Sequence, residues 1–215
     1  MTSDDASKRI NVAIAGLGNC AASFIEGLCF YRQHPDIDTG LLFSVLCGYT
    51  VRNIDVVAAF DISLKKVGLP ICEAMYQPPN NFVRMKDLRV DFQVRVFRGP
   101  TLDGNPEHLA RFVEESPLEA EDVVSILRDH DVDVLVNLLP TGSIQATQFY
   151  TQAALEAGCA FINCIPTVVA QQRDMQERFA HHQLPLFGDD IKSQIGTTIL
   201  HRILLHIPTC CATGC

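Results

Sequence analysis

The sequence predicts a doubly wound α/β fold, in which helices cover both faces of a parallel sheet. Short apolar runs alternate along the chain with segments of helical period, as repeated βαβ units do. The runs are rich in Val, Ile, Leu and Ala and show little polar alternation, which is typical of strands buried on both faces. The predicted strands span residues 12–15, 56–60, 94–97, 132–139, 161–165 and 186–187.

The helical segments carry the residues expected at helix ends. Ser143 can cap a helix over residues 144–157, and Gly158 is placed to end it. Residues 32–55 and 77–91 show no regular period and are predicted to be loops. Further helices are predicted over residues 22–31, 120–129 and 170–181.

Composition limits the classes of partner. The chain has 215 residues and a formal net charge of −8, and its Lys and Arg residues form no basic stripe, so nucleic acid is not expected as a partner. The chain contains no apolar run of about 18 residues and begins with a polar, acidic segment. We therefore expect no membrane partner and a cytoplasmic location.

The nine cysteines lie mostly in apolar segments, where they are interpreted as free thiols. Cys210, Cys211 and Cys215 follow two histidines and could by composition bind zinc. Their spacing fits no structural zinc pattern, so no metal site is predicted.

A glycine-rich turn follows the first predicted strand and precedes a helix. Gly16 permits a tight turn, Gly18 lets backbone N–H groups approach a pyrophosphate, and Ala21 lets the helix pack closely on the strand. Asn19 and Cys20 complete the predicted cofactor-binding turn. This order of strand, turn and helix favours a bound dinucleotide, with a purely structural turn as the alternative.

The second predicted strand ends at Asp61, whose carboxylate could accept hydrogen bonds from both ribose hydroxyls of the adenosine. A carboxylate would also repel a 2′-phosphate, so NAD is favoured over NADP. Asp61 lies 43 residues after Gly18, where about 20 is usual; the predicted loop over residues 32–55 accounts for the surplus. The alternative is an aspartate that only caps the next turn.

Later strands also end in polar residues. Pro140 and Ser143 follow the fourth strand, at the edge where doubly wound folds bind ligands, and could hold the nicotinamide ribose or a substrate oxygen. A Ser143 that serves only as a helix cap stays equally open. Asn137 and Asn163 lie in apolar strands, where an unpaired amide costs about 1–3 kcal/mol. Asn163 is nearer a strand end and is favoured as a ligand contact.

Four sequence blocks occur in order: GLGNCAAS from Gly16, AAFD ending at Asp61 with KKVG after it, RGPTLDG from Arg98, and GDDIKSQ from Gly188. Over about residues 10–202 they resemble inositol-1-phosphate synthase, the myo-inositol-3-phosphate synthase family, in its bacterial and archaeal form. The resemblance implies an NAD-dependent isomerase that converts glucose 6-phosphate into inositol 3-phosphate by internal oxidation, aldol cyclisation and reduction. It also implies a homotetramer.

The last two blocks contain the remaining candidate site residues. By this resemblance Lys192 matches the family's lysine, whose ammonium suits stabilisation of an alkoxide or transfer of its proton; a solvated lysine is the alternative. Asp189 and Asp190 precede it, and one of them could touch the nicotinamide or its ribose. Asp103 is carried over as part of a loop near the cofactor, with a turn aspartate as the alternative. The predicted catalytic residues are Lys192, Asp190 and Asn163; Asp103 and Asp189 are predicted to bind NAD.

The resemblance also divides the chain. It implies a Rossmann domain over residues 1–187, the start of a catalytic α+β domain over 188–206, and a divergent Cys-rich tail over 207–215. Family members continue further, with lysines that bind the substrate phosphate, so we expect a C-terminally truncated or frameshifted chain with incomplete activity that associates or is insoluble. Two other functions stay open: an NAD-dependent dehydrogenase of the oxidoreductase type, and a non-catalytic NAD-binding module or subunit.

Overall fold

A computed structural model of the protein describes residues 9–105 and 110–190. Within these ranges six strands form one parallel sheet in the order β3-β2-β1-β4-β5-β6. The strand order reverses between β1 and β4, as in dinucleotide-binding Rossmann folds, so the predicted doubly wound α/β class is confirmed. The strands are β1 (Ile10–Ala15), β2 (Ile54–Asp61), β3 (Val96–Arg98), β4 (Val134–Asn137), β5 (Ala160–Asn163) and β6 (Leu186–Phe187).

Helices connect the strands, with one turn of 3-10 helix (Val51–Asn53) before β2. The predicted helix over residues 144–157 is confirmed, and Gly158 ends it in the left-handed conformation, with φ 85°. The predicted helix over 120–129 begins three residues late, because the Asp122 carboxylate caps it by accepting the N–H of Ser125 at 3.2 Å. The helices are α1 (Asn19–Gln33), α2 (Ile71–Ala74), α3 (Val123–Asp129), α4 (Ile144–Ala157) and α5 (Arg173–His181).

Strand β4 is half as long as the apolar run that predicts it. At its start, the N–H of Val132 donates to the carbonyl of Leu127 of α3 at 3.0 Å, so this residue is bonded to the helix rather than to the sheet. At its end, the N–H of Leu139 donates to the side-chain oxygen of Asn137 at 3.3 Å, which turns the chain out of the sheet. Hydrophobicity alone therefore overestimates this strand, because Val132 is buried and Leu139 is half-buried outside the strand.

The core lies on both faces of the sheet, since neighbouring residues of a strand point to opposite sides. From β1, Val12 and Ile14 pack with Ile25 of α1 on one face. On the other face Ala13 packs with Tyr150 of α4. The two layers hold the carboxyl ends of β1, β2 and β4 side by side, where their connecting turns meet.

No helix in the described ranges has the length and hydropathy needed to span a membrane. The cysteines at positions 20, 29, 47, 72, 159 and 164 are free thiols. Cys210, Cys211 and Cys215 lie outside the described residues.

Candidate functional site

A cavity of about 460 Å³ opens at the carboxyl ends of β1, β2 and β4. Its walls are the glycine turn after β1, the end of β2, the segment after β3, and the turns after β4 and β5. Parallel sheets of this topology bind ligands at this edge, where the strand order reverses. The cavity is therefore the candidate cofactor and substrate site.

The glycine turn has the geometry that its sequence predicts. Gly16 has φ 90°, and a Cβ there would lie 2.9 Å from the carbonyl oxygen of Leu138, so a side chain at this position is excluded. Gly18 precedes α1, and no atom lies within 4 Å of the position that its Cβ would occupy. The backbone around Gly18 therefore leaves open space in front of the helix start, where a diphosphate could approach.

The other residues of the turn divide into two groups. Ala21 is fully buried within the core beside the sheet, as close packing of the helix requires. Asn19 and Cys20 line the cavity. The side chain of Asn19 exchanges two hydrogen bonds of 2.8 Å with Asn81, and so joins the start of α1 to the loop after α2. Asn19 thus has a structural role beside any contact with a ligand.

Asp61 lies in the cavity wall at the end of β2. Its Oδ2 atom accepts the N–H of Leu17 at 3.1 Å, and its Oδ1 atom accepts the N–H groups of Ile62 and Ser63, both at 2.8 Å. The carboxylate thus fixes the glycine turn to β2 and also caps the turn that follows. Both interpretations made from the sequence, a ligand-facing carboxylate and a turn cap, are compatible with this geometry.

Lys66 is a cavity residue that the sequence analysis did not select. Its Nζ atom lies 3.6 Å from Oδ2 of Asp61 and donates to the carbonyl of Leu17 at 2.7 Å and to Oδ1 of Asn80 at 3.0 Å. The ammonium therefore joins the end of β2, the glycine turn and the loop after α2. Lys65 beside it is exposed. The KKVG block is the only sequence signal for Lys66, and it does not distinguish the two lysines.

Asp103 and Ser143 meet at the start of α4, but their roles differ from the predicted ones. Both carboxylate oxygens of Asp103 are engaged, Oδ2 with the N–H of Gln145 at 2.7 Å and Oδ1 with the N–H of Ala146 at 2.9 Å. The Ser143 hydroxyl donates to the carbonyl of Pro140 at 2.6 Å and makes no capping hydrogen bond. The prediction that the Ser143 side chain caps this helix is therefore wrong; Asp103 caps it.

The charge of Asp103 is stabilised in this position. Burial acts to raise the pKa of the carboxyl, but the hydrogen bonds from the backbone of Ala146 and Gln145 outweigh it and hold the pKa below its usual value. Pro140 itself lines the cavity, as does Thr141 beside it. The turn after β4 thus faces the ligand space through its backbone and Thr141 rather than through Ser143.

The structure corrects the interpretation of Asn163 as a ligand contact. Its amide nitrogen donates to the carbonyl of Thr167 at 2.6 Å and to Oδ1 of Asp189 at 2.8 Å, and its amide oxygen accepts from Asn137 at 2.9 Å. The residue is 1% exposed and does not line the cavity. Asn163 is therefore a buried structural node whose polar groups are already paired.

Asp189 belongs to the same network. Its Oδ1 atom also accepts the N–H of Ala170 at 3.1 Å, and its Oδ2 atom accepts the N–H of Val169 at 3.0 Å. These bonds tie the segment after β6 to the turn after β5. The geometry thus favours a structural role for Asp189 over the predicted contact with NAD.

Asp190 is the last of the predicted site residues that the structure describes. It lines the cavity, together with Cys164 at the end of β5. Burial, followed by the nearby Cys20 and Asp190, raises the pKa of the Cys164 thiol to about 11, so the thiol stays protonated at neutral pH. Lys192 lies outside the described residues. No cluster of His, Cys, Asp and Glu in the described ranges could hold a metal ion.

No protein-family model matches the sequence. Three curated relatives are each named inositol-3-phosphate synthase and are 44%, 43% and 42% identical over 200, 200 and 205 residues; they come from Corynebacterium glutamicum, Mycolicibacterium smegmatis and Mycobacterium tuberculosis. The alignments cover 92–94% of this chain. This chain is a homologue of the inositol-3-phosphate synthases. It spans 55–56% of the length of these relatives.

Two solved structures share the fold of this chain. The crystal structure of Ari2 has a TM-score of 0.80 and 32% identity, over 94% of this chain and 60% of Ari2. A myo-inositol-1-phosphate synthase-related protein from Thermotoga maritima has a TM-score of 0.68 and 24% identity, over 93% of this chain and 59% of that protein. The second likeness supports the fold. The identity to the three curated relatives confirms the family resemblance given by the four sequence blocks.

Proposed function

We propose that this chain binds NAD in the cavity and takes part in the conversion of glucose 6-phosphate into inositol 3-phosphate. The observation that carries the proposal is 42–44% identity to relatives named inositol-3-phosphate synthase. The chain spans just over half the length of those relatives. We therefore propose the whole reaction and its substrate from this family resemblance. The cavity at the strand-order reversal supports the NAD-binding part independently.

The residues present fit a dinucleotide. The open space beside Gly18 lies at the start of α1, whose N–H groups suit a diphosphate. Asp61 stands in the wall at the end of β2, where its carboxylate can accept hydrogen bonds from the adenosine ribose. When bound, NAD would accept a hydride from the sugar phosphate and return it, which leaves no net oxidation.

The chain's own residues would hold the cofactor and restrict the space around it. Lys66 and three backbone N–H groups hold the Asp61 carboxylate in place before any ligand binds. Little conformational entropy of this side chain would therefore be lost when it binds a ribose. Cys20 and Pro140 also line the cavity, and we propose that they contact the bound cofactor. Asp190 borders the cavity and is proposed to act near the substrate, together with Lys192.

Several broader expectations belong to the same proposal. The family resemblance supports a Rossmann domain over residues 1–187 followed by the start of a catalytic domain over residues 188–206. It likewise supports assembly into a homotetramer. We also propose a cytoplasmic location for the protein.

Calorimetric titration of the full 215-residue chain with NAD and NADP tests cofactor binding. We expect NAD to bind at least about tenfold more tightly, because Asp61 would repel the 2′-phosphate of NADP; tenfold is about 1.4 kcal/mol. Asp61→Asn should reduce this preference, whereas Asp36→Asn, at an exposed loop position, should leave it unchanged. A folded wild-type chain without measurable affinity for NAD would contradict the proposal.

A chimera tests the reaction. Residues 9–190 of this chain would replace the aligned segment of the Mycobacterium tuberculosis relative. We expect the chimera to form inositol phosphate from glucose 6-phosphate, detected by phosphorus NMR, without free NADH. If a folded chimera that binds NAD instead accumulates free NADH, the chain is a dehydrogenase module and the proposed reaction is wrong.

A further inference from the structure

A second depression in the surface lies at the edge of the sheet opposite to the cavity. It has a volume of about 480 Å³ and is lined by Arg9, Arg32, Arg52, Asn53 and Asp55; we call it the arginine pocket. These residues lie just before β1, at the end of α1, in the 3-10 turn before β2 and at the start of β2. The length of β2 therefore separates the arginine pocket from the cavity by about 20 Å.

The arginine pocket is positively charged in an acidic chain. Three arginines and one aspartate line it, so the described residues of the pocket carry two net positive charges. The whole chain has a formal net charge of −8. Arginine stays protonated at every physiological pH. Three guanidinium groups in one depression repel one another, and an anion bound among them would remove this repulsion.

The carboxylate of Asp55 does not saturate the arginines. It lies 3.9 Å from Nη1 of Arg9 and 3.4 Å from Nη2 of Arg32, whereas strong guanidinium–carboxylate hydrogen bonds measure about 2.7–2.9 Å. Arg95 shows the saturated arrangement elsewhere in the chain, since its Nη1 and Nη2 atoms donate to the two carboxylate oxygens of Glu121 at 2.9 and 2.6 Å. The arginine pocket therefore keeps hydrogen-bond donors that its own carboxylate does not use.

Arg32 is held in place with one donor unpaired. Its guanidinium lies over the ring of Phe92, 5.0 Å from the ring centroid, and its Nη2 atom donates to the carbonyl of Ile54. Its Nε atom is buried and has no hydrogen-bond partner in the described ranges. Native proteins rarely leave a buried donor unpaired. The hydrogen bonding of this guanidinium is thus incomplete without an acceptor that the described residues do not provide.

The other two arginines can reach a ligand from solvent. The side chain of Arg9 is 76% exposed. Arg52 is exposed, and its guanidinium makes no hydrogen bond or ion pair with the residues that the structure describes. Both side chains can therefore donate to a ligand that enters the pocket beside the fixed guanidinium of Arg32.

A phosphate ester suits the charge and the size of the arginine pocket. Guanidinium groups bind phosphate oxygens through two parallel hydrogen bonds, and a phosphomonoester dianion matches the two net positive charges. The volume of about 480 Å³ lies in the range of small-molecule sites, about 300–1,000 Å³, so it has room for an organic group beside the phosphate. We propose that the arginine pocket binds a small organic phosphomonoester, at a site separate from the cofactor cavity.

Phosphorus NMR of glycerol 2-phosphate, titrated with the full 215-residue chain, tests the proposal. We expect Arg52→Gln to bind this ester about three- to tenfold more weakly, because one charged donor is lost. Arg9→Gln combined with Arg52→Gln should leave no measurable binding. Asp55→Asn should bind about threefold more tightly, because the carboxylate that repels the phosphate is gone.

Arg173→Gln is the matched control, since Arg173 is an exposed arginine on α5 that does not line the arginine pocket. Its affinity for glycerol 2-phosphate should equal that of the wild type. The melting temperatures of Arg9→Gln and Arg52→Gln without ligand should stay within about 2 °C of the wild type, because both positions are exposed. A loss of binding in these variants would then not come from unfolding.

The outcomes separate this inference from NAD binding. Saturating NAD should leave the affinity for glycerol 2-phosphate unchanged; displacement of the ester by NAD would place it in the cavity and overturn the proposal. A folded wild type that does not bind the ester, or a double arginine variant that binds it as tightly as the wild type, would also overturn it. Binding of inorganic phosphate without binding of the ester would show a site for the free ion instead.

Discussion

The Nζ atom of Lys66 lies 3.6 Å from Oδ2 of Asp61, and the two side chains are only 4% and 11% exposed. Neither charge is well hydrated, so each depends on the other and on its hydrogen bonds. The pair also sets the position of Leu17, whose N–H donates to Asp61 and whose carbonyl accepts from Lys66. The shape of the glycine turn and the charge balance of the cavity wall are therefore coupled.

Loss of the Lys66 charge should destabilise the fold. We expect Lys66→Met to lower the free energy of unfolding by about 3 kcal/mol, because it leaves the Asp61 carboxylate buried without its cation. Lys65→Met changes the exposed neighbour and should cost less than about 0.5 kcal/mol. Urea unfolding followed by circular dichroism measures both; equal values for the two variants would refute the coupling.

The two glycines of the turn should respond differently to alanine. Gly16→Ala should cost about 2 kcal/mol or more, because φ is 90° and the new methyl group would lie 2.9 Å from the carbonyl of Leu138. Gly18→Ala should cost no more than about 1 kcal/mol, the effect of a poorer helix cap, since the space around it is open. Thermal unfolding distinguishes them, and a larger loss for Gly18→Ala would contradict this geometry.

The cap formed by Asp103 predicts a pH dependence. Because the pKa of Asp103 is lowered in the folded state, its contribution is fully present above the unfolded pKa of about 3.9 and is lost as the pH falls through the folded value. Asp103→Asn should therefore be less stable than wild type by about 1 kcal/mol at pH 7. The difference should shrink below about pH 4.

Urea unfolding at several pH values checks the Asp103 prediction. Glu119→Gln, at an exposed position, is the matched control and should follow the wild type throughout. A difference between Asp103→Asn and wild type that stays constant as the pH falls would show that the carboxylate charge is not the source of the stabilisation.

The Asn163–Asp189 pair should behave as one unit. We expect Asn163→Ala and Asp189→Ala each to cost about 2 kcal/mol, and the double variant to cost less than their sum by about 1 kcal/mol, because either change already breaks the shared network. Asn163→Ala combined with Asp36→Ala, at an exposed position in the loop after α1, should be additive. Additivity in the first cycle would argue against the network.

Local signals in the sequence predict much of the fold. The end of α4 follows from Gly158, and the turn at Gly16 follows from a glycine after an apolar strand, because backbone conformation there depends on one residue. The boundaries of α3 and β4 are less accurate, since the Asp122 cap and the Asn137 side chain override hydrophobic pattern. Short-range physics thus accounts for the elements and their order.

The chemistry of the site depends on long-range contacts that sequence reasoning does not reach. Asp103 caps a helix more than forty residues away, and Asn163 pairs with side chains from β4 and from the segment after β6. Lys66 is distinguished from Lys65 by its burial and by its ion pair with Asp61. In each case the residue type was informative, and the partner that decides its role became visible only in three dimensions.

A Cβ at Gly99 would collide with the hydroxyl oxygen of Tyr150 on α4, so we expect these two positions to covary among homologues. Among homologues that keep tyrosine at 150, position 99 should remain glycine. Where 99 gains a side chain, 150 should shrink to a residue that does not reach β3. Such covariation would be visible in an alignment of homologous sequences. It would show which members of the family retain this wall of the cavity.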